Sequence, residues 1–240
     1  MARAGAGCDL ISERFFNPAL RGSPVVTVNT NLSMFYFTRT PALLRALYKG
    51  CIWKLNPAEP TVYLTFDDGP HPKATPFILE QLKKYDAKAT FFCIGKNVVE
   101  HPDLYQEIFN DGHAVGNHTQ NHLNGVRTKT GLYVDNVLEA AKYIDSPLFR
   151  PPYGRIKGAQ IRALKKAVPG IKIIMWDVLS GDFDTSLAPQ DCLQNVLFKF
   201  RSGSIIVFHD SEKAWERMEY ALPRVLEHFS RKKIKMEGLH

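Results

Sequence analysis

Residues 61–93 read TVYLTFDDGPHPKATPFILEQLKKYDAKATFFC. Val62–Phe66 is a β-rich apolar run that ends on two carboxylates, Asp67 and Asp68. Gly69 and Pro70 then turn the chain sharply away. Thr75–Lys84 has helical character, and Lys88–Cys93 is a second β-rich run. Strand, turn, helix and strand in this order make a βαβ unit, and such units build parallel sheets.

The same alternation continues outward. Further strands are expected at His113–Gly116, Pro147–Arg150, Lys172–Asp177 and Ser204–Phe208, with a last one at Lys232–Glu237. Helices are expected at Asn97–Asn110, Leu132–Tyr143, Lys157–Val168, Pro189–Phe200 and Arg217–Ser230. Asp111-Gly112 and Pro169-Gly170 punctuate two of the helix ends. The pattern fits a barrel or an incomplete one; an open doubly wound sheet has the same periodicity, which does not separate the two.

A chain of 240 residues is long enough to bury one large core. Its 45% hydrophobic and 23% charged residues are ordinary for a globular protein and exclude wholesale disorder. Residues 1–33 fit nothing that follows and read as a poorly ordered or artefactual extension, leaving 34–240 as a single domain. The net charge of +7 suits an anionic partner such as a cell-wall polymer or lipid surface. The basic residues are scattered along the sequence, however, so a basic soluble surface is the simpler reading, and no nucleic-acid partner is expected.

Cys8, Cys51, Cys93 and Cys192 lack Cys-x-x-Cys spacing and read as buried thiols of a reducing compartment. No run approaches the ~18–20 apolar residues of a membrane span. Met1 to Pro24 has no apolar centre of the ~7 residues a secretory signal needs. The expected location is therefore cytoplasmic or peripheral to the cell envelope. Pro41–Trp53 carries apolar residues at helical spacing with Arg45 and Lys49 between them. It suits weak contact with a membrane surface, although a helix packed on its own domain is the commoner outcome. Oligomeric state is not readable.

Polar clusters sit at the C-terminal ends of the strands, the edge where active sites of parallel α/β folds assemble. Asp67-Asp68 follow the first strand, Asn117-His118 the third, Arg150 the fourth, Asp182 comes soon after the fifth and His209-Asp210 follow the sixth. In His118-Thr-Gln-Asn-His122 the four-residue spacing would place two imidazoles on one face of a helical turn, within reach of one metal ion. Adjacent carboxylates repel and are costly to desolvate without a cation. Two His and one Asp match a catalytic zinc site with positions left open, and the second carboxylate is then free to act as a base. His209, emerging from an apolar strand on the same edge, suits a general acid better than a core residue. Arg150 could hold a carboxylate in place or form an ordinary surface ion pair.

The motifs TFDDGP, HTQNH, RPPYG, the GDF region and VFHD, in that order, resemble the polysaccharide deacetylases of carbohydrate esterase family 4, the NodB homology domain. The likeness spans Val62 to Phe229. It implies an α/β fold, a distorted (β/α) barrel often with seven strands, and removal of N-acetyl groups from N-acetylglucosamine-containing glycans of the peptidoglycan or chitin type. It also implies that Asp67 is the catalytic base, that Asp68, His118 and His122 bind the metal, and that Arg150 orients Asp67. The Tyr153 backbone N–H would help hold the oxyanion, and His209 would be the acid, tuned by Asp182. Val207 would line the acetyl pocket, with Phe183 where the family usually has Trp. Zinc is the expected ion, with cobalt, nickel or manganese as alternatives. One departure stands out: Leu179 occupies a place where the family pattern has an acidic residue, so Asp177 and Asp184 compete with Asp182 for the tuning role. Rival readings are an O-acetyl xylan esterase, a cyclic-amide hydrolase, or a non-catalytic carbohydrate-binding relic.

Overall fold

Nine short parallel strands form one sheet among residues 36–240, the part of the chain described by this computed structural model. They are β1 (Cys51–Ile52), β2 (Thr61–Asp67), β3 (Ala89–Cys93), β4 (Ala114–Asn117), β5 (Leu148–Phe149), β6 (Lys172–Ile174), β7 (Val178–Leu179), β8 (Ile205–His209) and β9 (Lys235–Met236). Their order is β1-β6-β5-β4-β3-β2-β8-β7, with β9 beside the start of β2. β6 and β7 are consecutive in sequence yet lie at opposite sides of this path. β6 pairs with β5 and β7 with β8, so Lys172–Leu179 curls the sheet round into a distorted barrel.

Where seven strands were expected there are nine: Cys51–Ile52 adds one, and the strand expected at Lys172–Asp177 stops at Ile174, with a further strand following at Val178–Leu179. The cause is visible at the break. The carbonyls of Ile174 and Met175 accept hydrogen bonds from the Arg150 guanidinium instead of from a neighbouring strand.

The helices are α1 (Ala42–Leu47), α2 (Ala74–Lys84), α3 (Gly95–Glu100), α4 (Pro102–Asn110), α5 (Thr130–Ala140), α6 (Gly158–Ala167), α7 (Pro189–Leu197) and α8 (Trp215–Arg231). α8 buries Met218, Ala221, Leu222, Val225, Leu226 and Phe229, the i, i+3, i+4, i+7, i+8, i+11 spacing that puts one apolar stripe on the sheet. β3 is buried throughout, and Phe66 stacks on Phe91 and Phe208 at 5.1 and 6.1 Å. Burial of each such large side chain contributes about 1.5–3 kcal/mol.

Two helix expectations need correction. Asn97–Asn110 breaks in two because Pro102 drives the preceding residue out of the helical region, and His101 has φ −130 and ψ 60. Pro41–Trp53 is not one packed helix. α1 stops at Leu47 and has no buried residue, and Cys51–Ile52 leave it to pair with β6. Cys93 and Cys192 are buried free thiols and Cys51 is half-buried, whereas Cys8 and the segment 1–33 lie outside the described residues. No described helix is long and apolar enough to cross a membrane.

Candidate active site

β2 ends at Asp67, and Asp68 follows in the left-handed region at φ 87, so the two carboxylates diverge. Asp67 is 3% exposed, and its Oδ1 lies 2.6 Å from Arg150 Nη1. Arg150 is fully buried and is not a surface ion pair. It also donates to Thr65 Oγ1 at 2.7 Å and packs over the Phe92 ring at 4.0 Å.

Asp68 faces the other way. Its Oδ1 is 3.1 Å from His122 Nε2 and 3.7 Å from His118 Nε2. That oxygen is sealed from solvent yet makes no well-formed hydrogen bond. One ligand atom from each of Asp68, His118 and His122 lies within 4.8 Å of the others. Burial acts to raise the Asp68 carboxyl, but contact with His122 and the positive charge of His209 outweigh it and hold the group below the usual carboxylate range. Burial pulls His118 down to about 4 against the attraction of Asp67 and Asp68, keeping it neutral. Its Nδ1–H donates to the Arg150 carbonyl at 2.8 Å, which leaves the Nε2 lone pair pointing into the site. An orphaned carboxylate oxygen and an oriented neutral imidazole are the donors a divalent cation requires, and the residues fit one.

The histidines converge for a reason other than the expected helical turn. Thr119 and His122 both take positive φ, at 67 and 54, and the HTQNH stretch is a loop. Side chains compete successfully for its backbone. Asn117 Oδ1 accepts from the Thr119 N–H, and Asn136 Oδ1 accepts from the N–H groups of Gln120 and Asn121.

His209 pairs in register with Asp67 across the β2–β8 ladder. Asp182 Oδ1 is 2.7 Å from His209 Nδ1, and its Oδ2 accepts from the His209 backbone N–H. Burial acts to lower this imidazole, but the Asp182 carboxylate, with Asp68 and Asp67 behind it, pushes it up to about 10. Neither competitor makes this contact. Asp177 bonds Arg45, Arg201 and Ser204, and Asp184 bonds Tyr36 and Ser186. Val207, two residues before His209 and on the same strand face, is buried beside Leu179 in register. The Phe183 ring stands 5.3 Å from His209. Tyr153, at φ 60, is 59% exposed with its ring 4.6 Å from His122.

One residue was noticed in the sequence without being given a role. Asp210, 1% exposed, accepts from the Gly69 N–H at 2.8 Å and from Thr75 Oγ1 at 2.7 Å, while its own N–H donates to the Asp67 carbonyl. A Cβ on Gly69 would collide with that carboxyl. Burial, reinforced by the Asp68 charge, pushes Asp210 up to about 8. The available signal was a second acid directly after His209 at the end of an apolar strand.

Residues 54–168 match the family described as polysaccharide deacetylase. A peptidoglycan-N-acetylglucosamine deacetylase of Bacillus cereus is 32% identical over 180 residues, covering 72% of this chain and 84% of that protein. A chitooligosaccharide deacetylase of Azorhizobium caulinodans is 32% identical over 165 residues, covering 65% and 77%. The solved structure of the Bc1960 peptidoglycan N-acetylglucosamine deacetylase aligns with a TM-score of 0.73 at 27% identity, covering 82% of this chain and 94% of that one.

Proposed function

This chain belongs to the polysaccharide deacetylase family, and on that premise we propose that it removes N-acetyl groups from N-acetylglucosamine-containing glycans of the peptidoglycan or chitin-oligosaccharide type, with zinc as its ion. The observation that carries this reading is the opposite fate of two adjacent carboxylates. Asp67 is clamped by Arg150, while Asp68 turns to two imidazoles.

Asp68, His118 and His122 would hold the ion, which supplies Lewis-acid polarisation and water of lowered pKa when bound. Asp67, held in place by Arg150, takes the proton of the attacking water. The Tyr153 amide donates to the oxygen of the acetyl carbonyl as it becomes an oxyanion; one donor of this kind is worth about 2.7–4 kcal/mol. His209, its Nδ1–H held by Asp182, delivers a proton to the leaving amine from Nε2. Val207 and Leu179 form an apolar floor for the acetyl methyl, and Phe183 forms a wall beside it.

The test is acetate release from chitooligosaccharide, peptidoglycan and acetylxylan, with and without chelator. Release from the N-acetylated glycans should stop with chelator and return with zinc, and His118→Ala and His122→Ala should reduce both metal content and release to background. Preferential release from acetylxylan would point to an O-esterase. Glycan binding without release, with metal supplied, would point to a non-catalytic relic.

A further inference from the structure

The positive charge of this protein is concentrated, although along the sequence it looks dispersed. Residues 41–56 and 155–176 contain nine Lys and Arg and no Asp or Glu, against +7 for the whole chain, so everything else sums to −2. The fold brings these two stretches together. β1 pairs with β6, Gly50 lies against the Lys165 ammonium, and an open groove of about 460 Å³ is lined by Leu47, Lys49, Gly50, Gly158, Ile161 and Arg162 among others.

Beside that groove stands α1, none of whose residues is buried. Ala42, Leu43, Ala46 and Leu47 are exposed and fall at spacings that place them on one side of the helix, with Leu43 75% and Leu47 71% exposed. On the opposite side Arg45 reaches inward to Asp177, and the Thr40 N–H donates to the Asp177 carbonyl, so the helix is tied down at its inner edge. Lys49, Arg162, Lys165 and Lys166 are exposed around it.

We infer that this face, the apolar side of α1 rimmed by the basic side chains of α6, docks on an anionic lipid bilayer. Exposed leucines beside Lys and Arg from two segments that contain no Asp or Glu have the composition of an interfacial membrane-binding element. A soluble polyanion would make use of the charges but leave Leu43 and Leu47 in water, and for that reason lipid is the better match. The inference is independent of the reaction proposed above.

The test uses the full chain and sedimentation with vesicles of phosphatidylcholine alone or mixed with phosphatidylglycerol. Binding is expected only to the anionic vesicles. It should weaken in high salt as screening shortens the reach of the charges. It should fall about tenfold or more, the equivalent of about 1.4 kcal/mol, in Leu43→Ser/Leu47→Ser and in Lys49→Glu/Arg162→Glu. Both variants should keep the wild-type Tm and deacetylation of soluble chitooligosaccharide, which separates failure of docking from failure of fold or of the reaction. The inference is overturned by any of three results: absence of binding to anionic vesicles, undiminished binding by both variants, or self-association of the wild type that the leucine variant abolishes.

Discussion

Asp67 and Asp68 are joined by one peptide bond but live in different electrical surroundings. One faces a buried guanidinium, and the other faces imidazoles around an orphaned oxygen. The same local logic sets His209, whose proton is retained to about pH 10 because Asp182 outweighs the effect of burial. An acid is competent only below its pKa, so activity should fall on the alkaline side as His209 loses its proton. A bound cation offsets the Asp68 charge, which brings that limb below ten in the metal-loaded enzyme. Asp182→Asn removes the strongest raising influence. Its alkaline limb should therefore move to lower pH than that of the wild type, with kcat reduced; a pH–rate profile of metal-loaded protein that leaves the limb in place would refute the assignment.

At the scale of elements, the turn from β2 to α2 is held from outside by Asp210, which fastens Gly69 and Thr75. Asp210→Ala should loosen the turn and weaken metal affinity by about 10–100-fold, the cost typical of losing an outer-shell partner. Asp210→Asn, which keeps an acceptor for the Gly69 N–H, should recover most of that affinity in a metal titration. The clustering of Asp67, Asp68, His118, Arg150, Asp182 and His209 on one edge was legible in the sequence because each comes at or soon after the end of an expected strand. The conformation of the HTQNH loop was not. Four-residue spacing reads as a helical turn, whereas the loop is shaped by Asn117 and Asn136, and Asn136 stands outside the loop, on α5. The break at Pro102 was available in principle, since proline limits the residue before it. The role of Asp210 was not, because it depends on the register that sets β8 beside β2.

Across the whole molecule, metal binding and folding are linked, since a site assembled from three separate positions does not exist in the unfolded chain. Metal at about a hundred times its Kd should add about 2.7 kcal/mol, which raises Tm by roughly 5–10 °C for a protein of this size. Differential scanning at pH 6 checks this, and the shift should collapse as pH falls through about 4, where folded His118 takes up a proton. The metal-free protein should weaken earlier, between about pH 6.5 and 4. In that window the unfolded chain binds two protons that His118 and His113, both lowered to about 4 chiefly by burial, refuse in the fold, and these outweigh the one proton that Asp210, raised to about 8, holds only in the fold. The concentration of charge on the α1–α6 face is likewise a property of the assembled molecule, because two acid-free stretches about a hundred residues apart become one surface only when β1 meets β6.

Arg150 stands in the seam where Lys172–Leu179 changes partners, donating to the carbonyls of Ile174 and Met175 as well as to Thr65 and Asp67. In a mason's terms it is a keystone, and the wall and the workshop share it. Lysine could restore its charge but not its span, having a single ammonium in place of a planar fork. Chemistry and architecture at this point are therefore inherited together: a descendant that abandoned hydrolysis would still be obliged to keep the guanidinium in order to stay closed.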